Sequence, residues 1–308
     1  MTQDDLVQDI QRLRKERNAI ILAHYYVDGE VQDIADHVGD SLQLAQAAQK
    51  SNADVIVFAG VHFMAETAKI LNPRSKVILP DLDAGCSLAE GCPADQFGRF
   101  VAKHPDHYVI SYINCSAGVK AHSHCICTSS NAEKIVRSVP EGQPILFAPD
   151  RNLGRYLIQK TGRDMTLWRG ACVVHETFSE RKLIDLEVRH PKAVVIAHPE
   201  CEEPILRRAK FIGSTSALLK FTISSAESEF IVATETGILH QMKKSSPDKV
   251  FIPAPPDGTC NCNDCPFMKK NTLEAVHKAL ATLEPEITLD PALAQQAKRS
   301  LDRMLELS

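Results

Sequence analysis

Short apolar runs rich in β-branched residues recur along the chain and alternate with segments of helical periodicity. Ala19-Ile20-Ile21-Leu22-Ala23, Tyr108-Val109-Ile110-Ser111 and Ala193-Val194-Val195-Ile196-Ala197 read as strands. So do Asp54 to Gly60, Pro144 to Asp150 and Glu229 to Glu235, and the later runs Lys76 to Pro80, Met165 to Trp168 and Lys249 to Pro253. Between them, Val31 to Lys50, Asn131 to Val139 and Ser216 to Ser224 carry a helical pattern. An opening helix over Asp4 to Arg17 and a closing one over Pro291 to Leu307 read as outer caps. Strands alternating with helices predict parallel α/β units joined by right-handed crossovers.

The pattern repeats with its chemistry attached. Each of the three leading strands ends in two functional side chains at i and i+2: His24 and Tyr26, Tyr112 and Asn114, His198 and Glu200. Seventeen residues beyond the first member of each pair stands a hydroxyl: Ser41, Ser129 and Thr215. A cysteine follows the last strand of each unit, at Cys86, Cys172 and Cys265. The fold expected is three small parallel-sheet αβα domains, at 1–104, 105–190 and 191–308, related by pseudo-threefold symmetry around a central active site. Ligands of such sheets bind outside the carboxyl ends of the strands, so the three pairs should face one cavity.

Composition narrows the function without choosing it. A chain of 308 residues with 44% apolar and 24% charged residues is long enough to bury more than one core. Its formal net charge of −4 gives no field to hold nucleic acid or an anionic membrane. No apolar run approaches the roughly 20 residues that cross a bilayer, and Met1 to Arg17 has no apolar signal region. The expected compartment is the cytoplasm, where thiols stay reduced. The ten cysteines then point to metal or catalysis and away from disulfides.

Three thiols from three strand ends can meet only at an interdomain axis, where an iron–sulfur cluster or a structural metal is the natural occupant. A four-iron cluster held by three thiolates keeps one open iron as a Lewis acid. Two other clusters compete. Cys260-Asn261-Cys262-Asn263-Asp264-Cys265 has the spacing of a local metal or redox site, and His122-Ser123-His124-Cys125-Ile126-Cys127 has the composition of a second one. Repeat position favours Cys265 for the centre, and Pro266 predicts a helix start that would favour its thiolate. Cys125 and Cys127 fall where the second unit needs a strand. Ser41, Ser129, Ser130, Ser214 and Thr215 read as helix N-caps that can also bind an anion through backbone N–H groups. His175, three residues past Cys172, should lie beside the metal.

The blocks Ala23-His24-Tyr25-Tyr26, Gly39-Asp40-Ser41, Gly60 to Lys69, Ser111 to Ala117, Cys127 to Ala132, His198-Pro199-Glu200-Cys201, Gly213 to Ser216 and Cys265-Pro266-Phe267-Met268 together resemble the quinolinate synthase family over nearly the whole chain. The resemblance implies condensation of iminoaspartate with dihydroxyacetone phosphate to quinolinate in NAD biosynthesis. It implies L-aspartate oxidase or aspartate dehydrogenase as imine source, with no nucleic-acid or membrane partner. It also implies a 4Fe-4S cluster on Cys86, Cys172 and Cys265, catalytic roles for His24, Tyr26, Tyr112, His175, His198 and Glu200, and substrate contacts from Ser41, Asn114, Ser129, Ser214 and Thr215. A non-catalytic phosphometabolite binder and a different iron–sulfur dehydratase are the rival readings.

Overall fold

The computed structural model describes residues 2–257 and 263–308. Its strands are β1 (Ala19–His24), β2 (His37–Gly39), β3 (Val55–Ala59), β4 (Lys76–Ile78), β5 (Tyr108–Tyr112), β6 (Cys125–Cys127), β7 (Ile145–Ala148), β8 (Met165–Leu167), β9 (Val194–Ala197), β10 (Phe211–Ile212), β11 (Glu229–Ala233) and β12 (Val250–Pro253). They form three four-stranded sheets of identical order: β2-β1-β3-β4, β6-β5-β7-β8 and β10-β9-β11-β12. Every pairing is parallel. Helices cover both faces of such a sheet, so the central strands are apolar along their whole length. β3 and β7 are buried at every position.

Register makes the threefold repeat exact in structural terms. Ala23 pairs with Ala59, Ser111 with Ala148 and Ala197 with Ala233. His24, Tyr112 and His198 are therefore equivalent, and Tyr26, Asn114 and Glu200 follow two residues on. The second strands pair so that Gly39, Cys127 and Gly213 are equivalent, which places Ser41, Ser129 and Thr215 at matching points just beyond them.

Three expectations change. The pattern over Val31 to Lys50 is not one helix: a helix Gly29–Asp33, strand β2 and a helix Ser41–Lys50 replace it. Asp36 begins the break, accepting the Ile21 N–H at 2.8 Å, and Asp40 starts the next helix as its N-cap. In unit two the helix begins only at Ala132, so Ser129 lies in the turn before it. Past Pro266 there is only a 3₁₀ turn, Met268–Lys270, where a helix was expected.

The run His122 to Cys127 is structural. β6 buries Cys125 and Cys127, while His124 Nδ1 accepts the Val109 N–H at 2.9 Å. The opening helix, Gln3–Glu16, packs against the helix Leu273–Thr282. The closing helix, Pro291–Glu306, packs on the helix Ala117–Ala121 and on β6 of the second sheet. Cys260 and Cys262 lie outside the described residues.

Candidate active site at the junction of the three units

The carboxyl ends of the three sheets surround one common cavity. Its wall contains His24, Tyr26, Ser41, Cys86, Tyr112, Asn114, Ser129, Cys172, His175, His198, Glu200, Thr215 and Cys265. Of the hydroxyls singled out from sequence, Ser130 and Ser214 are not part of this wall, and Ser214 stands behind it. There its hydroxyl accepts the Ala217 N–H at 3.3 Å and meets Ser130 Oγ at 2.8 Å.

One side of the cavity is a continuous hydrogen-bonded chain that crosses all three units. Thr215 Oγ1 lies 3.0 Å from the Tyr26 hydroxyl, which lies 2.6 Å from Thr234 Oγ1. Thr234 in turn lies 3.0 Å from His175 Nε2. His175 Nδ1 is 2.9 Å from Glu200 Oε2, and the Tyr112 hydroxyl donates to Glu200 Oε1 in a short bond. A carboxylate only accepts. That puts a proton of His175 on Nδ1, toward Glu200. His198 stacks on His175 at 4.8 Å between ring centroids and reaches Ser129 Oγ at 3.2 Å.

Burial and charge set the protonation states. Removal from water lowers His24 to about 4 and His198 to about 3, so both are neutral imidazoles at neutral pH. Burial, reinforced by the Glu200 charge, lifts Tyr26 and Tyr112 well above their usual range and keeps them as hydroxyl donors. Burial opposes ionisation of Glu200, but His175, His198 and the Tyr112 hydroxyl outweigh it and hold the carboxyl low. Asp150, buried behind Glu200, is driven up by burial and by the Glu200 charge. At neutral pH the Glu200 carboxylate thus sits among the neutral imidazoles of His24 and His198 and the hydroxyls of Tyr26 and Tyr112.

Hydroxyls line a further part of the wall. Asp40, not Ser41, caps its helix, taking the Leu42 and Gln43 N–H groups at 3.1 and 3.0 Å. Ser214 likewise caps the helix Thr215–Ser224. Ser41 and Thr215 are therefore first-turn residues whose hydroxyls are spared from capping and face the cavity. The other Asp40 oxygen accepts from Ser130 at 2.7 Å and Ser216 at 2.6 Å, so one carboxylate pins all three units together. Asn114 Oδ1 is buried with no hydrogen-bond partner among the described residues. Such an orphan acceptor costs about 1–3 kcal/mol unless a bound molecule or water satisfies it.

The third side carries the sulfurs. Cys86, Cys172 and Cys265, one per unit, share this wall with Phe63, Met64, Val174, Phe267 and Met268, and none is in a disulfide. Charges on Cys86 and Cys265, and on Cys86 and Cys172, would feel one another. Burial pushes Cys86 up to about 12, Cys172 well above its usual value and Cys265 upward. Cys265 therefore gains no net thiolate character from the turn after Pro266. Three soft donors converging in an apolar pocket fit a multivalent soft-metal centre, whose binding must expel their protons. His175 Nδ1, 3.2 Å from Cys172 Sγ, makes this side contiguous with the Glu200 chain.

Comparison with known proteins bears on this arrangement. The family model described as quinolinate synthetase A protein matches residues 8–306. The chain belongs to the quinolinate synthetase A family. It is 64% identical over 304 residues to the quinolinate synthase of Nostoc punctiforme, covering 99% of this chain and 94% of the relative. It is 62% identical to that of Trichormus variabilis, with the same coverage. To that of Thermosynechococcus vestitus it is 61% identical over 305 residues, covering 99% and 96%. Against this family frame, Asp40, Thr234 and Glu235 are site residues that the repeat did not single out. Asp40 had a signal, since it is the residue before Ser41 and matches the N-cap Ser214 in the third unit.

Proposed function

We propose that this quinolinate synthetase A family member condenses iminoaspartate with dihydroxyacetone phosphate to quinolinate, losing phosphate and water, in NAD biosynthesis. The observation that carries the reading is the meeting of one thiol from each unit with the hydroxyl wall and Glu200 around one cavity. Cys86, Cys172 and Cys265 would hold a 4Fe-4S cluster. When bound, such a cluster supplies a Lewis-acid iron with an open position for a substrate oxygen or nitrogen. The three units take the bounds 1–104, 105–190 and 191–308. The imine comes from L-aspartate oxidase or aspartate dehydrogenase, in a cytoplasm that keeps the thiols reduced. No helix among the described residues is long and apolar enough to cross a membrane.

The protein's own groups divide the work by protonation state. Ser41, Ser129 and Thr215 hold the triose phosphate, with the first turns of the helices Ser41–Lys50 and Thr215–Ser224 adding backbone N–H groups. Asn114 Oδ1 accepts from a substrate hydroxyl or imine N–H. Glu200 Oε atoms take the proton that must leave carbon or nitrogen. His175 Nδ1 and the Tyr112 hydroxyl, already bonded to Glu200, redistribute that charge. Tyr26 and the neutral His24 meet edge to face, ring centroids 4.5 Å apart, and move protons on the triose oxygens. The apolar wall excludes bulk water, which would hydrolyse an imine.

Anaerobic protein incubated with aspartate, L-aspartate oxidase and dihydroxyacetone phosphate should yield quinolinate. Omitting the triose phosphate should abolish the product. Product formation without it would transfer the cavity to a different dehydratase.

A further inference from the structure

Glu235 is completely buried two residues past the end of β11. Register places it at the same point of its unit as Asp150 in the second and Val61 in the first. Its Oε1 accepts the Cys265 backbone N–H at 3.1 Å and its Oε2 the Gly237 N–H at 2.7 Å. Lys269 Nζ lies 3.1 Å from the same Oε1, 2.9 Å from the Tyr26 carbonyl and 3.2 Å from Asp28 Oδ1. Lys269 N–H also donates to the Cys265 carbonyl at 3.1 Å, so the cysteine's own turn carries the cation.

This pair sits on a seam between units one and three that leaves no room for slack. A Cβ on Gly237 would stand 2.8 Å from the Tyr25 carbonyl oxygen and from Tyr26 Cα. Beside it, buried Gln32 Nε2 lies 2.9 Å from the Tyr25 carbonyl, 2.8 Å from Val27 and 3.0 Å from Gly237. Tyr26 is thus fixed at its backbone by Lys269 and at its hydroxyl by Thr215 and Thr234. The second unit repeats part of this arrangement, since the Asp150 carboxylate takes a hydrogen bond from the Cys172 backbone, whereas the first unit has Val61 at this position.

We propose that Glu235 and Lys269 form a positioning pair that couples the Cys265 segment to Tyr26, so that metal retention and substrate contact are held by one partly buried ion pair. The proposal rests on the reading of Cys265 as a metal ligand and of Tyr26 as a substrate-facing group. Neither Glu235 nor Lys269 moves a proton in it. Because two sites that share one rigid element bias each other reciprocally, substrate bound against Tyr26 should tighten the hold on metal.

The test compares wild type, Lys269→Arg and the double variant E235Q/K269M, each reconstituted anaerobically with iron and sulfide. Lys269→Met alone strands a buried charge, whereas the double variant exchanges the ion pair for neutral groups of similar size and should fold. Lys269→Arg keeps the charge and serves as the rescue. Iron release to a chelator is timed with and without saturating dihydroxyacetone phosphate, and turnover is measured in parallel. The expected result is slower release in substrate-loaded wild type and in Lys269→Arg. In the double variant release should be faster by about fivefold or more and insensitive to substrate, with kcat reduced. Wild-type release, substrate protection and kcat in the double variant would overturn the coupling. A wild type that takes up no iron would instead overturn the metal reading beneath it.

Discussion

His175 Nδ1 lies 2.9 Å from Glu200 Oε2, joining a side chain that follows the second unit's cysteine to the strand-end carboxylate of the third. Cys172 Sγ is 3.2 Å from the same nitrogen, so the acid–base chain and the sulfur wall share one imidazole. Cys172, His175 and Glu200 offer ligand atoms within 4.8 Å of one another. The proton of Nδ1 goes to the charged oxygen, the stronger acceptor, which leaves Cys172 Sγ free to ligate.

Glu200→Gln removes the carboxylate that His175 Nδ1 and the Tyr112 hydroxyl contact. Turnover should fall by about 10²-fold or more, the span general base catalysis contributes, with iron content unchanged. Steady-state kinetics beside iron analysis checks this. Unchanged turnover would take Glu200 off the proton path.

Ser41→Ala should leave stability within about 0.5 kcal/mol of wild type, because Ser41 does not cap its helix, while raising KM for the triose phosphate. Asp40→Ala should cost more than the roughly 1 kcal/mol of a lost cap, since Ser130 and Ser216 also lose their acceptor. Thermal unfolding of the two variants side by side separates the roles. Equal Tm losses would mean that the hydroxyl, not the carboxylate, holds the helix start.

The buried histidines predict an acid-side loss of stability. Their folded pKa values, about 4 for His24 and about 3 for His198, lie below the ordinary 6.5. Between those limits the unfolded chain binds more protons, so their contribution is full above about 6.5 and fades as pH falls toward 3. Tm measured against pH should drop through this window, and less steeply in His198→Gln. A wild-type slope unchanged in that variant would mean that His198 is not buried as a neutral ring.

Much of this was legible in the sequence because the three units keep the same spacing. A strand that ends in functional side chains at i and i+2 announces itself, and so does a hydroxyl at a constant offset. β2 was hidden because three residues, His37–Gly39, carry too little pattern to interrupt the helical period around them. Ser214, read as an N-cap, is one, whereas in the first unit the cap falls one residue earlier than Ser41, since Asp40 and Ser41 are both good caps and only backbone geometry decides between them. Lys269, on the turn that bears Cys265, is linked to Tyr26 and Asp28 by nothing in sequence distance. Contacts of that kind exist only once the units close.

The central claim is that Cys86, Cys172 and Cys265 bind one inorganic centre together. Iron and sulfide should be counted in anaerobically reconstituted Cys86→Ser, Cys172→Ser and Cys265→Ser, with Cys115→Ser and Cys125→Ser as buried controls. Near-complete loss of iron and of visible absorbance in each of the first three, with wild-type loading in both controls, is the predicted result. Full loading in any one of the first three would contradict it.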